Sequence, residues 1–369
     1  MSIGARAARG ASAHRDPRKA GRLAATQALL GCDADPCTLL LFASGPHGAW
    51  AGAIAEGARE VAPRATIALI SSPRISSADD PEVFVGGVSA IALPVKSEVA
   101  IGNGDYSARS LRELGRAIAA DRPCPVFLFG RSRPSAVVAL DAFSDEANAP
   151  QLGGALGVGA GLSAVGADGV VREGTLLALR IEDELSLVDA SATAVEPIVP
   201  FAPITEVRRG YIERVGSERA LDWLRASGGS APEGSLLLAM LAVGPERRPL
   251  VRGIAGVEPS RGAIHVGDDV EEGETIAIGI STGRVPPEAI EGAQRRALRR
   301  LSGAAPRAAL LVDPVGRGPR AALAQCGFEE RFGSIPWVGI RAAAQIVSGA
   351  ERPRLAQHTA TLSLLCSAS

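Results

Sequence analysis

Aromatic side chains are scarce, at three Trp, two Tyr and eight Phe, or 4% of 369 residues. The core must therefore be built from Val, Leu, Ile and Ala, and stacking platforms for nucleic-acid bases are sparse. Lysine is nearly absent, with only Lys19 and Lys96 present, so the positive charge is almost all arginine. Together with the abundant Ala and Gly, this reflects a GC-rich genome rather than arginine-specific chemistry. Neither sign of charge dominates, because 39 basic residues face 40 acidic ones. Without a basic face, nucleic acid is not expected as a partner. The cysteines Cys32, Cys37, Cys124, Cys326 and Cys366 are odd in number and include no Cys-x-x-Cys pair, a poor disulfide framework and a poor zinc site. The histidines His14, His47, His265 and His358 lack metal-ligand spacing, and no metal or cofactor is expected. No apolar run approaches the ~20 residues of a membrane helix. The Arg-rich start lacks the apolar stretch of a signal peptide. The expectation is a cytoplasmic protein with no membrane partner.

What is present reads as an ordinary globular chain, 46% apolar and 21% charged, long enough for two domains. Residues 1–18 read as a flexible N-terminal segment. A helix over Ala20–Leu30 is followed by the apolar strand Thr38–Ser44, helical spacing over Ala49–Val61 and the strand Thr66–Ser72. Such a succession gives a parallel strand pair with a helical crossover. Strands over Val88–Val95 and Pro125–Gly130 bracket a helix around Ser110–Ala120, and a Gly-rich strand region covers Leu152–Gly166. The texture changes between Gly174 and Pro203. Beyond it a helix at Arg219–Ala226, the strand Ser235–Gly244, a helix at Pro287–Leu301, strands Ala308–Pro314 and Ala360–Cys366, and a helix near Pro319–Cys326 are expected. The fold class is mixed α/β, two α/β domains with layered sheets covered by helices. The expected division is 19–190 and 191–369.

Two patterns mimic catalytic or cofactor motifs. Gly159-Ala-Gly161-Leu-Ser-Ala164 matches a dinucleotide fingerprint, but a turn and strand follow where a helix is needed. Gly279-Ile-Ser281-Thr-Gly283 matches a nucleophile elbow, with Asp313 and His358 following in hydrolase order. A serine hydrolase using Ser281, Asp313 and His358 is the enzymatic alternative, although Pro286 and Pro287 delay the helix that should begin at the serine. The Gly316-Arg317-Gly318 turn offers backbone N–H groups and a planar guanidinium to a carboxylate or phosphate. His47 sits in a loop after a strand, where binding residues concentrate.

Several segments together resemble the FIST family, proteins with paired FIST N and FIST C domains in signal transduction. They are LLLFASGPHGAWAGAIAEGAREVAPRATIALISSP near the start, EPIVPFAPIT at Glu196–Thr205 and LVRGIAGVEPSRGAIHVGDDVEEGETI at Leu250–Ile276. VGRGP, IPWVG and QHTATLSLL follow in order. Carried over residue by residue, the resemblance keeps Arg317, Gly318, Gly339 and Thr359. It puts Pro314 where the family has cysteine, Gln345 where it has glutamate and Ala356 where it has histidine. With those titratable groups gone, general acid–base catalysis at this site is not expected. The resemblance implies a bacterial sensory protein that binds a small ligand, an amino acid or derivative, and signals through an unidentified protein partner. Its site would comprise Gly316, Arg317, Gly318, Gln345, Thr359 and Gly339, closed by His47. A non-binding interaction scaffold is the second alternative.

Overall fold

The computed structural model describes residues 6–32, 37–77, 86–132, 138–182, 185–232, 235–243, 248–267, 270–282, 285–314, 324, 327–348 and 352–367. Within them one succession occurs three times: strand, helix, strand, helix, strand, a short departing strand, and a returning strand. In the second and third passes the departing strand also has an antiparallel hairpin partner, Val171–Gly174 and Arg354–Ala356. The first pass runs Ala8–Ser12, Pro17–Leu30, Thr38–Ser44, Ala51–Val61, Thr66–Ser72, Ile75–Ser77 and Gly87–Leu93. The second runs Ser97–Gly102, Ala108–Ala117, Val126–Gly130, Leu140–Ala147, Leu152–Leu156, Leu162–Val165 and Leu176–Ile181. The third runs Leu185–Thr193, Pro287–Leu301, Pro306–Pro314, Phe328–Phe332, Trp337–Ala342, Ala344–Val347 and Thr359–Ser367.

Strand pairing repeats as well. In each pass the two strands around the second helix are parallel, as a helical crossover permits, and the returning strand lies antiparallel beside the first of them. The departing strand leaves its own sheet. Ile75–Ser77 pairs with Trp337–Ala342, Ala344–Val347 with Leu152–Leu156, and Leu162–Val165 with Thr66–Ser72. Each pass thereby completes the sheet of another, in a closed cycle of three.

The inner faces of the three sheets share one apolar core, which takes Phe42 and Ile70 from the first pass, Phe127 and Phe129 from the second, and Leu310 and Val312 from the third. Helices cover all three outer faces. A sheet buried on both sides needs apolar residues at successive positions, which is why Thr38–Ser44 is a continuous apolar run, buried throughout. The helix Pro17–Leu30 starts where Asp16 accepts the Lys19 N–H and Pro17 occupies the first turn.

The expectation of a flexible segment over residues 1–18 is corrected for its described part. Ala8–Ser12 is a strand antiparallel to Gly87–Leu93, and the helix is under way by Pro17. The strand reads as coil because all its residues but Arg9 are small. They have to be: a Cβ on Gly10 would lie 2.7 Å from that of Gln27 on the covering helix. The helix expected near Pro319–Cys326 lies largely outside the described residues, and a five-residue helix follows at Phe328–Phe332.

Between the first strand and first helix of the third pass the chain inserts residues 195–282. This insertion forms a nine-stranded antiparallel sheet with the helix Ala220–Gly228, and it has its own core around Ile204, Ile212, Leu241 and Ile264. It is tied to the three-sheet body where Arg252 Nε donates to the Leu355 carbonyl at 3.1 Å and the Gln357 N–H donates to the Val251 carbonyl at 2.7 Å. The expected division at 190/191 falls inside the strand Leu185–Thr193.

Candidate functional site

The three parallel pairs end at Ser44 and Ser72, Gly130 and Leu156, and Pro314 and Ala342. Open α/β sheets bind ligands beyond such carboxyl ends. Here the chains that leave the strand ends lace the sheets together. The Gly161 N–H donates to Ser71 Oγ at 2.7 Å and the Ser71 N–H to the Gly161 carbonyl at 3.0 Å. The Ala343 N–H donates to the Leu156 carbonyl at 3.0 Å, and the Arg341 N–H to Ser72 Oγ at 2.8 Å. The crossing leaves no room for side chains: a Cβ on Gly159 would sit 2.7 Å from the Ser71 carbonyl oxygen. The Gly159–Gly161 pattern is therefore a packing feature between sheets, followed by the strand Leu162–Val165 rather than by a phosphate-binding helix.

At the third pair Asp313 and Arg341 stand side by side on parallel strands, both buried. Burial pulls the Arg341 pKa down, the Asp313 carboxylate opposes that, and Arg74 adds to it. Arg341 Nη1 also donates to the Pro314 carbonyl at 3.3 Å. The sequence reading missed Arg341. Its signal was available, as an arginine inside the otherwise apolar strand Trp337–Ala342.

Four residues further on lies Gln345, fully buried, with neither Oε1 nor Nε2 hydrogen-bonded. Its strand neighbours are Ala155 and Ala356. Ala155 belongs to the central core and Ala356 to the core of the insertion, so Gln345 lies on the inner face where the two meet. The pairing identifies its counterparts in the other passes. The first inward residue of each departing strand lies opposite an inward core residue: Ile75 opposite Ile340, Leu162 opposite Ile70, and Gln345 opposite Ala155. Two positions are aliphatic and the third is an amide.

A second orphan lies nearby in the fold. Thr361, also missed from the sequence, is buried with no partner for Oγ1. It stands opposite Val312, which makes it inward-facing, and its strand packs against that of Gln345. The alternation Thr359, Thr361, Ser363 along an otherwise apolar strand is the sequence signal for this polar inner stripe. The central core also contains an apolar void of about 10 Å³ lined by residues including Phe42, Ile91, Phe127, Phe129 and Leu365. That is about the room one water needs, so the void is not a ligand chamber.

Of the residues expected to form the site, Gly316, Arg317 and Gly318 lie outside the described residues. Thr359 is buried, donates to the Gln357 carbonyl at 2.9 Å and shares the polar strand with Thr361. Gly339 lies beside Leu311, on the helix-covered face of its sheet and away from Gln345. His47 is buried in a 3-10 turn, its Nε2 2.8 Å from the His14 carbonyl and its Nδ1 without a partner. The nucleophile-elbow reading of Gly279–Gly283 is corrected. Ser281 is the exposed last residue of a strand antiparallel to its neighbours, and the next helix starts only at Pro287. A nucleophile elbow requires a parallel strand turning directly into a helix at the serine.

Residues 37–218 match the FIST N domain and residues 218–348 the FIST C domain. The chain belongs to the FIST family. FIST domains are associated with sensory signal transduction and possible small-ligand binding, a sensory rather than catalytic role. A comparison with curated proteins gives no match. The two FIST matches meet at Glu218, within the insertion, and the threefold body takes strands from both. Among the described residues no helix is long and apolar enough to cross a membrane, and no three His, Cys, Asp or Glu residues are grouped to hold a metal ion.

Proposed function

We propose that this FIST protein is a cytoplasmic sensor that binds a small ligand, an amino acid or derivative, without turnover. It passes the signal to a separate protein. The observation that carries this reading is Gln345. A buried amide with both polar atoms unpaired costs free energy, and the fold needs no amide there, since Ile75 and Leu162 fill the equivalent positions. A polar group kept at such a cost has a use outside the fold itself, and a ligand that satisfies it supplies one. Arg317, on the segment that follows the strand Pro306–Pro314, is the cationic group assigned to an anionic part of the ligand. The near-balance of charge supports a partner other than nucleic acid.

The test is a thermal-shift screen of the purified protein against amino acids, small carboxylates and phosphates, repeated on Arg317→Ala and Gln345→Leu. A ligand at 100 times its Kd adds about 2.7 kcal/mol of stability. Shifts that vanish in either variant, with the ligand recovered chemically unchanged, support the reading. A well-folded protein that no compound stabilises points instead to the scaffold alternative.

A further inference from the structure

The orphaned groups also specify what kind of ligand moiety fits against them. We propose that Gln345 and Thr361 together form the floor of a buried subsite for a neutral carboxamide or lactam group, an assignment that rests on the sensor reading above. Gln345 presents an acceptor, Oε1, beside a donor, Nε2, in one plane, and both are unpaired. The matching partner carries a donor beside an acceptor, as a primary carboxamide or a lactam does, so that two N–H···O bonds form side by side. Thr361 Oγ1, buried on the adjacent packed strand, is a hydroxyl that accepts or donates a third bond.

Charge decides against the other small polar groups. A carboxylate or ammonium brought to this depth needs a counter-ion in direct contact. Gln345 and Thr361 supply none. The arginines of the surrounding strands are engaged elsewhere, which decides against a carboxylate. Arg341 lies beside Asp313 and donates to the Pro314 carbonyl, and Arg354 pairs with Glu274 at 2.6 Å. The inward carboxylate Asp189 accepts the Ser348 N–H at 3.1 Å, and the ammonium probe below tests whether it serves as a counter-ion. An apolar group is disfavoured for the opposite reason, since it would leave both amide atoms and the hydroxyl unpaired. The small neighbours of Gln345, Ala155 and Ala356, place no bulky side chain beside the amide on either adjacent strand.

The experiment compares four probes of matched size with the intact protein: propionamide, 2-pyrrolidinone, propionate and propylamine. Thermal shifts are recorded over a concentration series for wild type, Gln345→Leu and Thr361→Val. The expected result is a dose-dependent rise in Tm with the two amides, lost in Gln345→Leu and weakened in Thr361→Val, and no rise with the two ions. If Gln345→Leu does not fold, the Thr361→Val comparison decides on the same criterion. Stabilisation by propionate or propylamine but not by the amides overturns the ligand class while leaving the sensor reading standing. An amide shift of equal size in wild type and both variants places binding elsewhere and overturns the subsite. No shift with any probe also overturns it, and the broader screen of amino acids and phosphates then tests the sensor reading separately.

Discussion

Replacing Gln345 by leucine should make the protein more stable and less responsive at once. The substitution removes two buried polar atoms that make no hydrogen bond and shortens the side chain by one bond. Each such group costs about 1–3 kcal/mol. Imperfect repacking of the branched leucine against Ala155 and Ala356 returns about 1–3 kcal/mol of that gain. The net expectation is stabilisation by about 2 kcal/mol. With an unfolding entropy of about 2.1 cal/mol/K per residue over 369 residues, this corresponds to a Tm rise of about 2–3 °C. Differential scanning calorimetry and denaturant titration of the ligand-free protein measure it directly. The reasoning fails if Gln345→Leu lowers stability by a kilocalorie or more. That outcome would mean the amide is already satisfied in the native protein, for instance by a bound structural water, and that its role is to hold the fold together.

Asp313→Asn leaves Arg341 buried beside a neutral group, so it should destabilise by about 3 kcal/mol in urea. The double variant Asp313→Leu, Arg341→Met should recover most of that loss, and failure to recover would remove the pair as the cause. Burial pushes the Cys366 thiol up to about 12 from its usual value near 9. The folded state therefore keeps a proton that the unfolded chain gives up. Stability should be intact below pH 9 and fall as pH rises towards 12. A Cys366→Ala variant should show a shallower decline of Tm with pH, and an unchanged slope would refute the assignment. Ser281 should not react with a fluorophosphonate probe at a rate above that of the unfolded protein, and labelling abolished by Ser281→Ala would reinstate the hydrolase.

Much of the architecture could be read from local pattern. The strands Thr38–Ser44 and Thr66–Ser72 and the helix Pro287–Leu301 stand where apolar runs and proline punctuation put them. Those signals are local because a strand buried on both faces has to be apolar throughout. The threefold repeat was not legible. Its units share pairing rather than residues, and the insertion of 195–282 separates the first strand of the third pass from its helix. The strand Ala8–Ser12 was lost for a related reason: small residues chosen for close approach to a helix carry no hydrophobic period. At the site, Gln345 was reached through its position in a family motif. Its significance depends on Ile75 and Leu162, which become its counterparts only once the three sheets exchange strands.

The exchange of strands also constrains how the protein is made. The strand Leu152–Leu156 receives its neighbour from residues 344–347, and the Ser348 hydroxyl that bonds Leu152 lies 196 positions along the chain. At ribosomal speeds of about 5–20 residues per second, that partner emerges roughly 10–40 s later. Throughout the interval the second sheet presents an open hydrogen-bonding edge backed by apolar residues, a surface prone to association with other nascent chains. The ring closes only when nearly the whole polypeptide has been synthesised. A stop or a slow stretch late in translation should therefore leave an aggregation-prone N-terminal half rather than a folded FIST N domain, and chaperone demand should be concentrated in that window.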